Sequence, residues 1–191
     1  RFYAVPSHTL PSARGQGEPA SGKLNLPAGA TLTGLIMGED DKEVFVGTSA
    51  GYGFRTTIAD LHTKNKAGKS VVKISPHAQV VQPKLIYDDN SLIVAVSNEG
   101  RMLVFDISNV PNLAKGKGNK IINIPSARLK RGEEWVVDYA IVGQGTSLLV
   151  YSGKRYLSLK YGDLEHYIGE RGRRGHKLPR GFQRVDYLKS E

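Results

Sequence analysis

The chain has no cysteine, one tryptophan and two methionines among its 191 residues. Without cysteine there is no disulfide staple, no thiolate nucleophile and no sulfur ligand for a metal, and the composition suits a reducing compartment. No run of about 18 apolar residues occurs, so nothing reads as a membrane-spanning helix. Helical periodicity is nearly missing too. Only Asp163 to Ile168 looks helical, and it is too short to stand as a helix by itself. The histidines His8, His62, His77, His166 and His176 lack the spacing of a ligand cluster. The carboxylate pairs Asp40-Asp41 and Asp88-Asp89 fall in hairpin-turn sequences, where aspartate bonds its own backbone. These absences leave no constellation for metal or acid–base chemistry.

What the chain does have is repetition. From Glu99 to Ile124 it reads as a Gly-led alternating strand, Arg101 to Asp106, then a breaker-rich turn, Ile107 to Leu113. A cationic loop follows, Lys115-Gly116-Lys117-Gly118-Asn119-Lys120, and then an apolar strand, Ile121 to Ile124. The same order recurs from Gly51 through Lys64-Asn65-Lys66-Ala67-Gly68-Lys69 to Ile74. It recurs from Gly153 through Gly169-Glu170-Arg171-Gly172-Arg173-Arg174-Gly175, and from Arg1 through Arg14-Gly15-Gln16-Gly17 to Leu26. Gly51 and Gly100 are 49 residues apart, and Gly100 and Gly153 are 53 apart. A period near fifty predicts a propeller-like array of β-blades.

Further strands complete each unit. The segments Thr31 to Met37 and Glu43 to Thr48 predict a hairpin, as do Val80 to Tyr87 with Ser91 to Ser97, and Trp135 to Val142 with Ser147 to Tyr151. Gln183 to Leu188 alternates as a last strand. The expectation is an all-β array of about four to five repeats, each a four-stranded blade, forming one domain over residues 1–191. The start inside a repeat unit implies a piece of a longer chain.

The net charge of +9 matters through its placement. Lysines on solvated loops need no special explanation, yet here they concentrate in the same loop of every repeat. Equivalent cationic loops on one rim would form a positive track matched to a polyphosphate backbone, whose neutralisation releases counterions. Glycine in such loops permits positive φ and also lets backbone N–H groups approach phosphates closely.

The runs LPSARGQGEP (Leu10 to Pro19), AGYGF (Ala50 to Phe54), GRMLVF (Gly100 to Phe105), LAKGKGNKIINIPSA (Leu113 to Ala127) and GERGRRG (Gly169 to Gly175) resemble those of the C-terminal domain of the bacterial topoisomerase IV A subunit (ParC), a relative of the gyrase A C-terminal domain. The resemblance covers essentially the whole chain. It implies a β-pinwheel, whose blades exchange a strand with their neighbours. It further implies a non-catalytic part that binds and bends duplex DNA without regard to sequence and presents the transported segment for decatenation or relaxation. The longer gyrase box, QRRGGKG-like, has no intact copy here, which favours bending over full wrapping.

With that resemblance, the expected phosphate contacts are Arg14, Lys23, Lys64, Lys66, Lys69, Lys115, Lys117, Lys120, Arg171, Arg173, Arg174, Lys177 and Arg180. The implied partners are double-stranded DNA, the N-terminal part of the same polypeptide and an ATPase subunit in a heterotetramer, with no membrane. The implied location is the bacterial cytoplasm, on the chromosome. No cofactor is expected in this domain, ATP and Mg2+ belonging to other parts of the enzyme.

Arg155-Tyr156 superficially offers the arginine–tyrosine pair of the family's cleavage chemistry. It lies in an alternating strand with no acidic cluster nearby in sequence, so a packed aromatic is the better reading. Trp135 heads a strand and reads as core. The competing expectation is a propeller that docks protein partners. It predicts an exposed apolar patch and indifference to the basic loops.

Overall fold

A computed structural model describes residues 1–191. In chain order the strands are β1 (Glu43–Gly47), β2 (Tyr52–Thr57), β3 (Lys84–Ile86), β4 (Leu92–Ser97), β5 (Arg101–Asp106), β6 (Asn119–Lys120), β7 (Val136–Val142), β8 (Ser147–Ser152), β9 (Arg155–Lys160), β10 (His176–Lys177) and β11 (Tyr187–Ser190). Two short helices interrupt them, α1 (Ile58–Leu61) and α2 (Ser126–Lys130). Single 3-10 turns cover Ser7–Thr9, Ala20–Lys23, Ile107–Asn109 and Tyr161–Tyr167.

Three hairpins, β1–β2, β4–β5 and β8–β9, form the centres of three antiparallel sheets. Each turns at a glycine with positive φ, Gly51 (88°), Gly100 (75°) and Gly153 (59°), where a side chain would be strained. The sheets run β3-β1-β2-β6, β7-β4-β5-β10 and β11-β8-β9. Strands β6 and β10 come from the basic loop of the next repeat and cross back to pair with β2 and β5. An earlier repeat of the same exchange survives as a bridge between Lys69 and Phe2. The array is thus held together by strand exchange as well as by side-chain packing.

Alternation puts successive side chains on opposite faces of each sheet, and those faces stack in series. Val44, Val46 and Phe54 pack with Leu61 and Val71, with Phe2 and Ile36 against them. Phe45 meets Ile93, Ala95, Leu103, Phe105 and Tyr139 between the first and second sheets. Val94, Val96, Met102 and Val104 meet Leu148, Val150, Leu159 and Leu188 between the second and third. Burying each such side chain fully contributes about 1.5–3 kcal/mol. The Tyr139 hydroxyl, buried among them, donates to the Thr48 carbonyl at 2.7 Å. Burial, and secondarily the Asp138 charge, pushes its phenol far above the usual range, so it stays a donor.

The architecture is the mostly-β, propeller-like one expected, but several elements differ. There are three sheets, of four, four and three strands, where four to five four-stranded units were expected. The first repeat makes no sheet of its own; Thr31 to Met37 forms no strand and no backbone hydrogen bond, and leaves Leu35 and Met37 exposed. Val80 to Tyr87 shrinks to β3 plus a bridge at Val80, because Pro83 has no N–H to donate to a ladder. Lys23 to Leu26 follows a 3-10 turn and is no strand, and Ser70 to Ile74 contributes only a bridge. Ile121 to Ile124 is buried at Ile121, Ile122 and Ile124 but is not a ladder strand. The last strand begins at Tyr187, not Gln183. The helical segment near Asp163 is a 3-10 turn, Tyr161–Tyr167, and α1 and α2 were not expected.

Candidate nucleic-acid interface

The basic loops owe their place to the exchange strands. In the third repeat, β6 lies on β2 with Asn119 opposite Gly53 and Lys120 opposite Tyr52. Gly118, at φ +78°, approaches so closely that a Cβ there would stand 2.2 Å from the Gly53 carbonyl oxygen. Gly175, at φ +74°, seats the fourth repeat's loop on Met102 in the same way, and Gly68, at φ +77°, seats the second repeat's loop on Phe2 and Tyr3. A residue with a side chain would push each loop off its strand.

The seated loops touch one another. Gly116 donates its N–H to the Val71 carbonyl (2.8 Å) and accepts from the Lys73 N–H (2.9 Å), joining the segment after the second repeat's loop to the third. The Arg171 guanidinium donates to the Lys120 carbonyl (3.1 Å), and the Gly172 N–H to that of Ile121 (2.8 Å), joining the third to the fourth. The Asn123 N–H donates to the Arg173 carbonyl (2.9 Å). Lys64–Lys69, Lys115–Lys120 and Arg171–Lys177 therefore form one strip across three repeats.

Along that strip Lys64, Lys66, Lys115, Lys117, Lys120, Arg171 and Lys177 are exposed and have no carboxylate in ion-pair range; nor do Arg14 and Arg180. Lys117 rests its ammonium 4.0 Å from the Tyr52 ring centroid, and Lys120 lies 6.0 Å from it while donating to Asn123 Oδ1 (3.2 Å). A cation over a ring is held with less loss of freedom on binding an anion, at a cost of about 0.5–1 kcal/mol if that contact is given up. Arg173 is exposed but shared with Glu170, 2.9 Å away.

Family comparison agrees with the fold. The model of the DNA gyrase C-terminal domain, a β-propeller, matches residues 42–86 and 91–141, spanning the first sheet and β4, β5 and most of β7 in the second. The chain belongs to this family. The A subunit of DNA topoisomerase 4 from Pseudomonas aeruginosa is 51% identical over 189 residues, 98% of this chain and 25% of the relative. The chain spans about a quarter of that curated relative's length. The solved E. coli ParC C-terminal domain is 46% identical, with a TM-score of 0.86 over 99% of this chain and 76% of the other. A gyrase A C-terminal domain structure, 19% identical with a TM-score of 0.60 over 77% of this chain and 48% of the other, shares the fold.

Within this gyrase-type domain, six of the thirteen expected phosphate contacts bond to other groups of the protein: Lys120, Arg171 and Arg173 as described above, and Arg174, Lys69 and Lys23. Arg174 forks onto the buried Glu134 at 2.9 and 3.0 Å, so its charge is spent inside the protein. The Lys69 ammonium donates to the Asp60 carbonyl at 2.5 Å. Lys23 donates to the Thr9 carbonyl (3.0 Å) and pairs with Glu18 (3.3 Å). Arg14 lies off the stitched strip, and its loop's Gly17 meets nothing within 4 Å. Sequence reading missed Lys73, exposed and bonded through its backbone to Gly116, and missed Tyr52. The AGYGF run contains Tyr52, but only the exchange of β6 onto β2 reveals that Lys117 stands over it. Tyr156, expected as a packed aromatic, is exposed on β9 with its ring centroid 5.7 Å from that of Tyr151, and Trp135, expected in the core, is exposed just ahead of β7.

Proposed function

We propose that this domain is the non-catalytic DNA-binding and DNA-bending part of a topoisomerase IV A subunit. The observation that carries the reading is the strip itself: basic loops from three repeats, joined by backbone hydrogen bonds and bearing cations with no acidic partner. Contacts from such groups to phosphate fix position without reading base edges, so binding is sequence-independent and steeply salt-dependent. The strip runs across successive sheets, so a duplex following it is held at several points and curves. Smooth bending of a 20–30 base-pair site by 40–90° costs about 1–6 kcal/mol, which several loops acting together offset.

In the parent enzyme the domain presents the transported duplex to a cleavage core in the N-terminal part of the polypeptide, working with an ATPase subunit in a heterotetramer. ATP and Mg2+ serve those other parts, and the enzyme works on the chromosome in the bacterial cytoplasm. No helix of this chain is long and apolar enough to cross a membrane.

Replacing Lys115, Lys117 and Lys120 together by glutamine tests the reading. Affinity should fall alike for unrelated duplex sequences, and the salt slope should drop by up to about three units, near 0.9 for each phosphate no longer neutralised. A weakening confined to one sequence would contradict it. A second reading, a protein-docking module, has in its favour the exposed Tyr156 and Tyr187 beside Tyr151 on the third sheet. Under that reading the triple variant keeps its activity.

A further inference from the structure

Glu134 is the most deeply buried acid on the path to the strip. Its side chain has no exposed surface, and it accepts both terminal guanidinium nitrogens of Arg174. Arg128, on α2, reaches it at 3.5 Å and also holds Glu99 and Glu133. Arg174 in turn donates to the Asn123 carbonyl at 2.9 Å, while Asn123 takes the Lys120 ammonium on its side chain and gives its N–H to Arg173. One carboxylate therefore anchors the point where the loops of the third and fourth repeats meet. The nearby Arg171 and Arg173 leave that anchor with exposed side chains.

We propose that Glu134 is a positioning residue of the phosphate-binding strip, setting through Arg174 where Arg171 and Arg173 stand relative to Lys120. The inference rests on the strip being a phosphate-binding surface. Its sign is opposite to what charge alone dictates. Removing a carboxylate from a basic surface strengthens its attraction for a polyanion. Removing a carboxylate that holds the loop in register weakens binding, because the cations no longer line up with successive phosphates.

The test is duplex binding by the full chain as wild type, Glu134→Gln and Arg174→Lys, each at several salt concentrations, with melting curves alongside. Glutamine keeps the shape of Glu134 and removes its charge. Lysine keeps the charge of Arg174 and removes the fork that matches a carboxylate. Each variant is expected to bind about tenfold more weakly at 0.1 M salt with a slope lower by about one, equivalent to one phosphate fewer neutralised. A partly unfolded population would instead lower apparent affinity by a similar factor at every salt and leave the slope alone.

Tighter or unchanged binding by Glu134→Gln, or weaker binding with an unchanged slope, overturns the inference. The Arg174→Lys variant keeps the test alive if Glu134→Gln does not fold. If the wild type binds and the triple lysine variant loses slope while these two do not, only this inference falls. If the wild type does not bind duplex, the function proposed for the strip falls and this inference with it.

Discussion

Gly17 and Gly118 hold the same place in their repeats and nearly the same φ, +77° and +78°, yet their surroundings differ completely. Nothing lies within 4 Å of a Cβ built at Gly17, whereas one at Gly118 would strike the Gly53 carbonyl. Alanine at 17 therefore meets only the left-handed backbone penalty, about 1 kcal/mol. Alanine at 118 adds overpacking against a neighbouring strand, for about 2–5 kcal/mol in all. Denaturant unfolding of the two variants should show this gap, and equal destabilisation would mean that the third loop is not seated on β2. The glycines were legible as loop residues that take positive φ. Their role as seats was not, because the strand each rests on lies tens of residues earlier. Arg174 misleads for a related reason. Its run reads as uniformly basic, and only the fold brings Glu134 beneath one member of it.

At the scale of elements, the hairpins β1–β2, β4–β5 and β8–β9 were legible because alternation and Gly-led turns are local signals. The exchange strands β6 and β10 were not, being two residues each and defined only by distant partners. Asp138 shows how such distant elements are tied. On β7, it accepts the N–H of Leu188 on β11 and of its neighbour Tyr139, both at 2.9 Å, and pairs with Lys84 of β3 at 3.2 Å. One buried carboxylate thereby links strands from all three sheets. Asp138→Ala leaves one or two buried donors unsatisfied and should destabilise by about 2–4 kcal/mol. Asp138→Asn retains one acceptor and should cost about half as much. Hydrogen exchange should show the Leu188 amide opening first in the alanine variant, and an unchanged Leu188 would refute the link.

Over the whole molecule, the fold class and the concentration of charge in one loop of each repeat were visible in the sequence as period and placement. The number of sheets was not, since a segment with strand-like composition becomes a strand only when a partner lies beside it. The continuity of the strip was also hidden, because it depends on hydrogen bonds such as Gly116 to Val71 and Arg171 to Lys120. That continuity is what turns separate loops into one surface, and the proposed bending of a duplex rests on it.

The central claim is tested most directly by binding the chain to end-labelled linear duplexes of increasing length at several salt concentrations, with fluorescence transfer between the ends. The account predicts sequence-blind, salt-steep binding, with ends that draw together once the duplex is long enough to span all three loops. Binding with no change in end-to-end distance would contradict bending, and no binding at moderate salt would contradict the strip itself.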